Sequence, residues 1–156
     1  MVSGHCAKPP FGPFNSYFYN NTVYADERIS PKFAITTSAE GLLIANNIFR
    51  LTKSANAVDD DQPSAKPGKK QATGKAKNVV FKNNIYPSKS TLPSPVGVED
   101  TDMIIADPHY TNPGGKLPAD YLPQNRAAIK DKGIIIEKLP GDATGLKKRR
   151  SSGSVV

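Results

Sequence analysis

Three stretches, NSYFYNNTVY (15–24), GLLIANNIFR (41–50) and NVVFKNNIYP (78–87), align without a gap. Phe18, Ile44 and Phe81 share a column; two places on stand Asn20, Asn46 and Asn83, and next to them Asn21, Asn47 and Asn84. Thr22, Ile48 and Ile85 follow, then Val23, Phe49 and Tyr86. Recurrence of this kind marks stacked structural units. In each unit β-branched and aromatic residues flank a polar Asn-Asn step, which reads as two short strands joined by a sharp bend. Asparagine suits the bend because it tolerates left-handed backbone and can hydrogen-bond its own main chain.

Asn20 and Asn46 are 26 residues apart, and Asn46 and Asn83 are 37 apart. The shorter interval fits one coil of three short strands and three turns. The surplus of the longer one falls in residues 54–77, which carry almost no apolar side chain beyond alanine and one valine, the composition of a solvated loop. Coils stacked at the strand spacing of about 4.8 Å place like residues above one another. Apolar columns then line an interior, and Asn20, Asn21, Asn46, Asn47, Asn83 and Asn84 form amide ladders in which each side chain donates to the next coil. Each such bond is worth about 0.5–1.5 kcal/mol net, with a larger penalty for a buried amide left unpaired. Binding of sugar hydroxyls is the other use of such asparagines, but apolar residues on both sides favour the ladder. By the same reasoning the glycosylation sequon Asn20-Asn21-Thr22 is expected to be inaccessible.

The repeated NVxFxNNIY-like unit resembles the right-handed parallel β-helix, or pectate-lyase-like, superfamily. The segments DMIIADPHYTNPGG (102–115), ADYL (119–122) and AIKDKG (128–133) resemble the exit region that ends such helices. The resemblance implies an all-β solenoid of about three coils with an irregular C-terminal extension, and it covers residues 15–137. The parts would be an irregular segment 1–14, coils over 15–106 with a loop at 54–77, an exit segment 107–146 packed on the solenoid, and a disordered basic tail 147–156. Residues 33–36 would be one strand, 42–46 the next, Ala57 and Val58 the counterpart of the first in the following coil, and 103–106 a further strand. Residues 133–137 would form a last strand lying back along the solenoid, after a brief helix within 124–132.

The net charge of +7 is unevenly placed: the Lys-Lys-Arg-Arg run at 147–150 supplies +4, and residues 54–77 supply +2 from five lysines and three aspartates. The remainder is near neutral, which argues against nucleic-acid binding, since that favours a basic face on the folded body. A single cysteine, Cys6, allows no intrachain disulfide. No run approaches the roughly 20 apolar residues of a membrane helix, and the first ten residues lack the apolar core of a signal peptide. Two readings stay open: a cytoplasmic protein, or the later part of one whose export signal lies upstream. The resemblance favours a secreted or periplasmic setting.

Candidate chemistry is sparse, and no catalytic set is expected. Asp59, Asp60 and Asp61 offer oxygen ligands for Ca²⁺, the cation with which the superfamily's lyases neutralise uronates, but three adjacent residues fall short of six to eight ligands. No cofactor is therefore expected, and Glu99, Asp100 and Asp102 are read in the same way. His5 and Cys6 lack a nearby third partner; His109 stands at a turn that Asp107 initiates ahead of Pro108. The resemblance places substrate on the strands that begin each coil, which makes Lys32, Asp59 and Asp60 the substrate-facing candidates. The resulting expectation is the C-terminal part of a β-helix protein that acts on or binds polysaccharide, acidic polysaccharide included, without a complete active site. The alternatives are a non-catalytic glycan-binding or structural solenoid and a truncated fragment with no activity of its own. Apolar stacks at the N-terminal end, Phe18 among them, are expected to be exposed, so that upstream coils or self-association would cover them.

Overall fold

The structure is a computed structural model that describes residues 13–35, 39–53, 56–59, 76–91, 94–95, 100–139 and 142. Among the described residues eleven strands follow one another in a three-beat rotation. β1 (Phe14–Tyr19), β4 (Glu40–Ala45), β7 (Lys77–Lys82) and β10 (Asp100–Thr101) form one parallel sheet. β2 (Thr22–Ala25), β5 (Ile48–Leu51), β8 (Ile85–Tyr86) and β11 (Ile104–Ile105) form a second, and β3 (Lys32–Ile35), β6 (Asn56–Asp59) and β9 (Ser94–Pro95) a third. Each trip through the rotation makes one pass, and the class is all-β. The only α-helix among the described residues is the single turn α1 (Arg126–Ile129), preceded by 3₁₀ turns at Lys89–Thr91 and Pro118–Tyr121.

The register reproduces the sequence columns. Phe18 pairs with Ile44 and Ile44 with Phe81; Val23 pairs with Phe49, and Thr22 with Ile48. The counterpart strand expected near Ala57 and Val58 is present as well, with Phe33 paired to Ala57 and Ala34 to Val58. Residues 56–59, placed within the 54–77 loop by composition, thus belong to a strand, and Lys77 opens another; residues 60–75 lie outside the described set. A fourth, short pass under the third begins at Asp100, ahead of the strand expected at 103–106.

Two columns bend the chain into the left-handed region. Asn20, Asn46 and Asn83 have φ of 54–56°, and Asp102 in the fourth pass has 63°. Five residues upstream, Asn15, Gly41 and Asn78 repeat the device at 47°, 75° and 53°. Gly41 also lacks space for a side chain, because a Cβ there would stand 2.6 Å from Asn15 Oδ1.

One apolar cluster draws on all three sheets, with Ala25, Ile35, Leu42, Ile44, Phe49, Leu51, Phe81 and Tyr86 buried together. Phe33 meets Phe49 and Phe81 edge-on, at 5.0 and 5.5 Å between ring centres, and Phe49 stacks on Tyr86 at 5.5 Å. The chain after Asp107 covers the outside. Tyr110 and Ile129 pack over Ile48 and Ile85, and Ile136 and Leu139 pack over Leu43 and Ala45. Residues 133–137 do lie back across the sheets as expected, but without strand pairing. Truncating Phe81 to alanine should lower unfolding free energy by about 3–5 kcal/mol, whereas Val80→Ala on the exposed side of the same strand should stay within about 0.5 kcal/mol. Urea denaturation of the two variants checks this.

Candidate functional site

The Asn-Asn steps divide their labour. The first asparagine of each step takes the left-handed backbone and faces outward; the second turns inward and is consumed by its neighbours. Asn21 Nδ2 donates to Asn47 Oδ1 at 3.0 Å, Asn47 Nδ2 to Asn84 Oδ1 at 2.9 Å, and Asn84 Nδ2 to Asp100 Oδ2 at 2.6 Å. The backbone N–H groups of Asn21 and Asn47 donate to the same oxygens, each at 3.0 Å. The second proton of each amide goes to a main-chain carbonyl: Asn21 to Tyr19, Asn47 to Phe18 and Asn84 to Ile44. Asn47 and Asn84 are fully buried. Such burial is tolerable because both amide protons and the amide oxygen of each are engaged.

The ladder ends on Asp100, which the sequence groups with Glu99 and Asp102 as an oxygen ligand and not as part of the stack. Asp100 occupies the inward column of Phe81 and is 8 % exposed. Besides Asn84, its Oδ2 accepts the Tyr86 hydroxyl at 2.8 Å. Burial raises the Asp100 carboxyl above the usual carboxylate range, against the donors from Asn84 and Tyr86, which pull it down. Tyr86 is pushed well above its ordinary value by burial and by the Asp100 charge beside it. The signal for Asp100 was present: continuing the alignment by one pass puts it under Phe81 and Asp102 under Asn83. A carboxylate breaking an apolar column marks a capped stack.

The outer column holds the returning chain. Asn46 Nδ2 donates to the Ile134 carbonyl at 2.8 Å, and the Ile134 N–H donates to Asn46 Oδ1 at 3.0 Å. Asn83 Nδ2 donates to both Asn46 Oδ1 and the Lys132 carbonyl, at 2.8 Å each. Two amides therefore replace the strand pairing expected of residues 133–137. Asn20, at the same place in the first pass, is exposed, so the Asn20-Asn21-Thr22 sequon is more open than its ladder position implied. In the exit region the Asp107 carboxylate accepts the His109 N–H at 3.0 Å, forming the expected turn, and pairs with Arg50 at 3.3 Å. His109 is exposed. Asp120 organises the neighbouring loop by accepting from the Leu117 N–H and the Asn112 amide, and these donors hold its carboxyl below the usual range.

Of the substrate-facing candidates, the strand positions of Lys32 and Asp59 are described, and Asp60 is not. Lys32 opens β3 opposite Asn56, and Asp59 closes β6 opposite Ile35, three strand positions away, or roughly 10 Å along the sheet. Asp60, Asp61, Glu99, His5, Cys6 and the basic tail lie outside the described residues. Asp102 faces Lys82 at 3.8 Å. Among the described residues no three His, Cys, Asp or Glu side chains gather to hold a metal ion. The chain matches no family model, and neither the curated proteins nor the solved structures compared with it give a match.

Asn47→Ala should cost several kcal/mol, about 1–3 for each buried group left unsatisfied, and clearly more than Asn20→Ala when both are unfolded in urea. Asp100 titrates at a higher pH in the folded chain than in the unfolded one, so its contribution to stability falls as pH rises from the ordinary carboxylate range through the raised value. Wild type should therefore lose ground to Asp100→Asn across that window and hold a constant difference from it at higher pH, as read by thermal melts at a series of pH values.

Proposed function

We propose that the chain is a right-handed parallel β-helix segment that binds acidic polysaccharide and lacks a complete active site of its own. The rotation of strands through three parallel sheets, with a two-residue asparagine bend between the first sheet and the second, is the observation that carries the fold part of this reading. The pairing of β3 with β6 supports the rest: it sets residues of successive passes side by side at strand spacing, a repeat on which an extended glycan can register. Lys32, the first residue of β3, is of the residue type whose positive charge suits an acidic sugar.

The test is titration of the protein with acidic oligosaccharides at low ionic strength. Saturable binding that Lys32→Ala weakens severalfold, and that added salt weakens too, is the expected outcome. Folded protein that captures no acidic polysaccharide on a glycan array would remove the reading.

A further inference from the structure

The amide ladder has a direction, and its two ends differ. At the far end Asp100 closes it with oxygens that only accept. At the near end stands Asn21, whose amide protons are used by Tyr19 and Asn47. In the two passes below, Oδ1 of the inner asparagine accepts one main-chain N–H and one side-chain N–H from the pass above it. Asn21 Oδ1 is the corresponding atom of the first pass, and among the described residues β1 and β2 stand at the ends of their sheets. Beside it Phe18 is 40 % exposed and Phe14 52 % exposed, although Phe18 belongs to the column that buries Ile44 and Phe81.

We propose that the edge formed by β1 and β2 docks an extended segment of a partner chain that runs parallel to them and sets an asparagine over Asn21. Complementary partial charge selects the occupant: two N–H donors, one from main chain and one from side chain, must converge on Asn21 Oδ1. The apolar columns add an inward apolar residue three positions before that asparagine and another two positions after it, over Phe18 and Val23. A second copy does not meet these terms. Placed head to head it sets one acceptor oxygen against another, and placed tail to head it offers Met103 at the ladder position, which has no side-chain N–H.

The probe is a synthetic peptide of residues 77–87, which carries Phe81, Asn84 and Tyr86 in the required spacing, added to the full chain. We expect saturable binding by fluorescence anisotropy, about tenfold weaker when the peptide carries Asn84→Ala. Hydrogen exchange should slow in β1 and β2 upon binding. Because changing the peptide leaves the protein intact, loss of folding does not confuse the result. Absence of binding overturns the proposal. Equal binding of the alanine peptide, protection confined to β10 and β11, or self-association of the chain through β1 and β2 overturns it as well.

Discussion

An amide buried among aromatic rings is costly unless each of its N–H groups and its oxygen finds a partner, and the inner asparagine column meets that condition by pointing every side chain the same way. A directional chain of donors requires an acceptor at its end. Another asparagine would have brought protons of its own to place. A carboxylate brings none, and Asp100 sits where the third pass would otherwise have faced one more apolar residue. The Tyr86 hydroxyl, at the foot of the aromatic column, is held by the same carboxylate, and the short fourth pass pairs beneath it.

The cost is a buried charge with no cation paired to it among the described residues, the ion pairs there being Arg28–Asp26, Arg50–Asp107 and Lys82–Asp102. What offsets the burial is the set of donors already present: the Asn84 amide, the Tyr86 hydroxyl and, behind them, a row of polarised amides. The outer column follows a different logic. Asn46 and Asn83 bond the main chain of residues 132–134 and so fasten the covering segment directly to the bends. One dipeptide thus specifies a turn, an interior polar row and the path of the C-terminal segment.

Much of this was legible from alignment alone. The strand pairs, their register and the apolar columns follow from placing the three Asn-Asn steps under one another, because stacking at strand spacing makes like residues neighbours. The different fates of the two asparagines were not legible: Asn46 and Asn47 are the same residue type in adjacent places, and only the left-handed backbone of the first decides which faces out. The place of Asp100 at the end of the ladder is harder to read, because the fourth pass keeps the geometry while changing the residues, with Asp102 and Met103 standing where Asn83 and Asn84 stand above. Lys32 and Asp59 were chosen by position along the strands. The counterpart strand at Ala57 and Val58 was legible, but the residue-by-residue register that puts Lys32 opposite Asn56 and Asp59 opposite Ile35 was not.

The direction of the ladder also has a meaning in time. Synthesis delivers Asn21 first, yet its acceptor Asn47 lies 26 residues later, Asn84 a further 37, and Asp100 another 16. Each pass leaves the ribosome holding donors whose acceptors have not yet been made. The interior row is complete only once residue 100 has emerged. Non-local pairing of this kind is slow by nature, and here the last rung to arrive is the one that completes all the others.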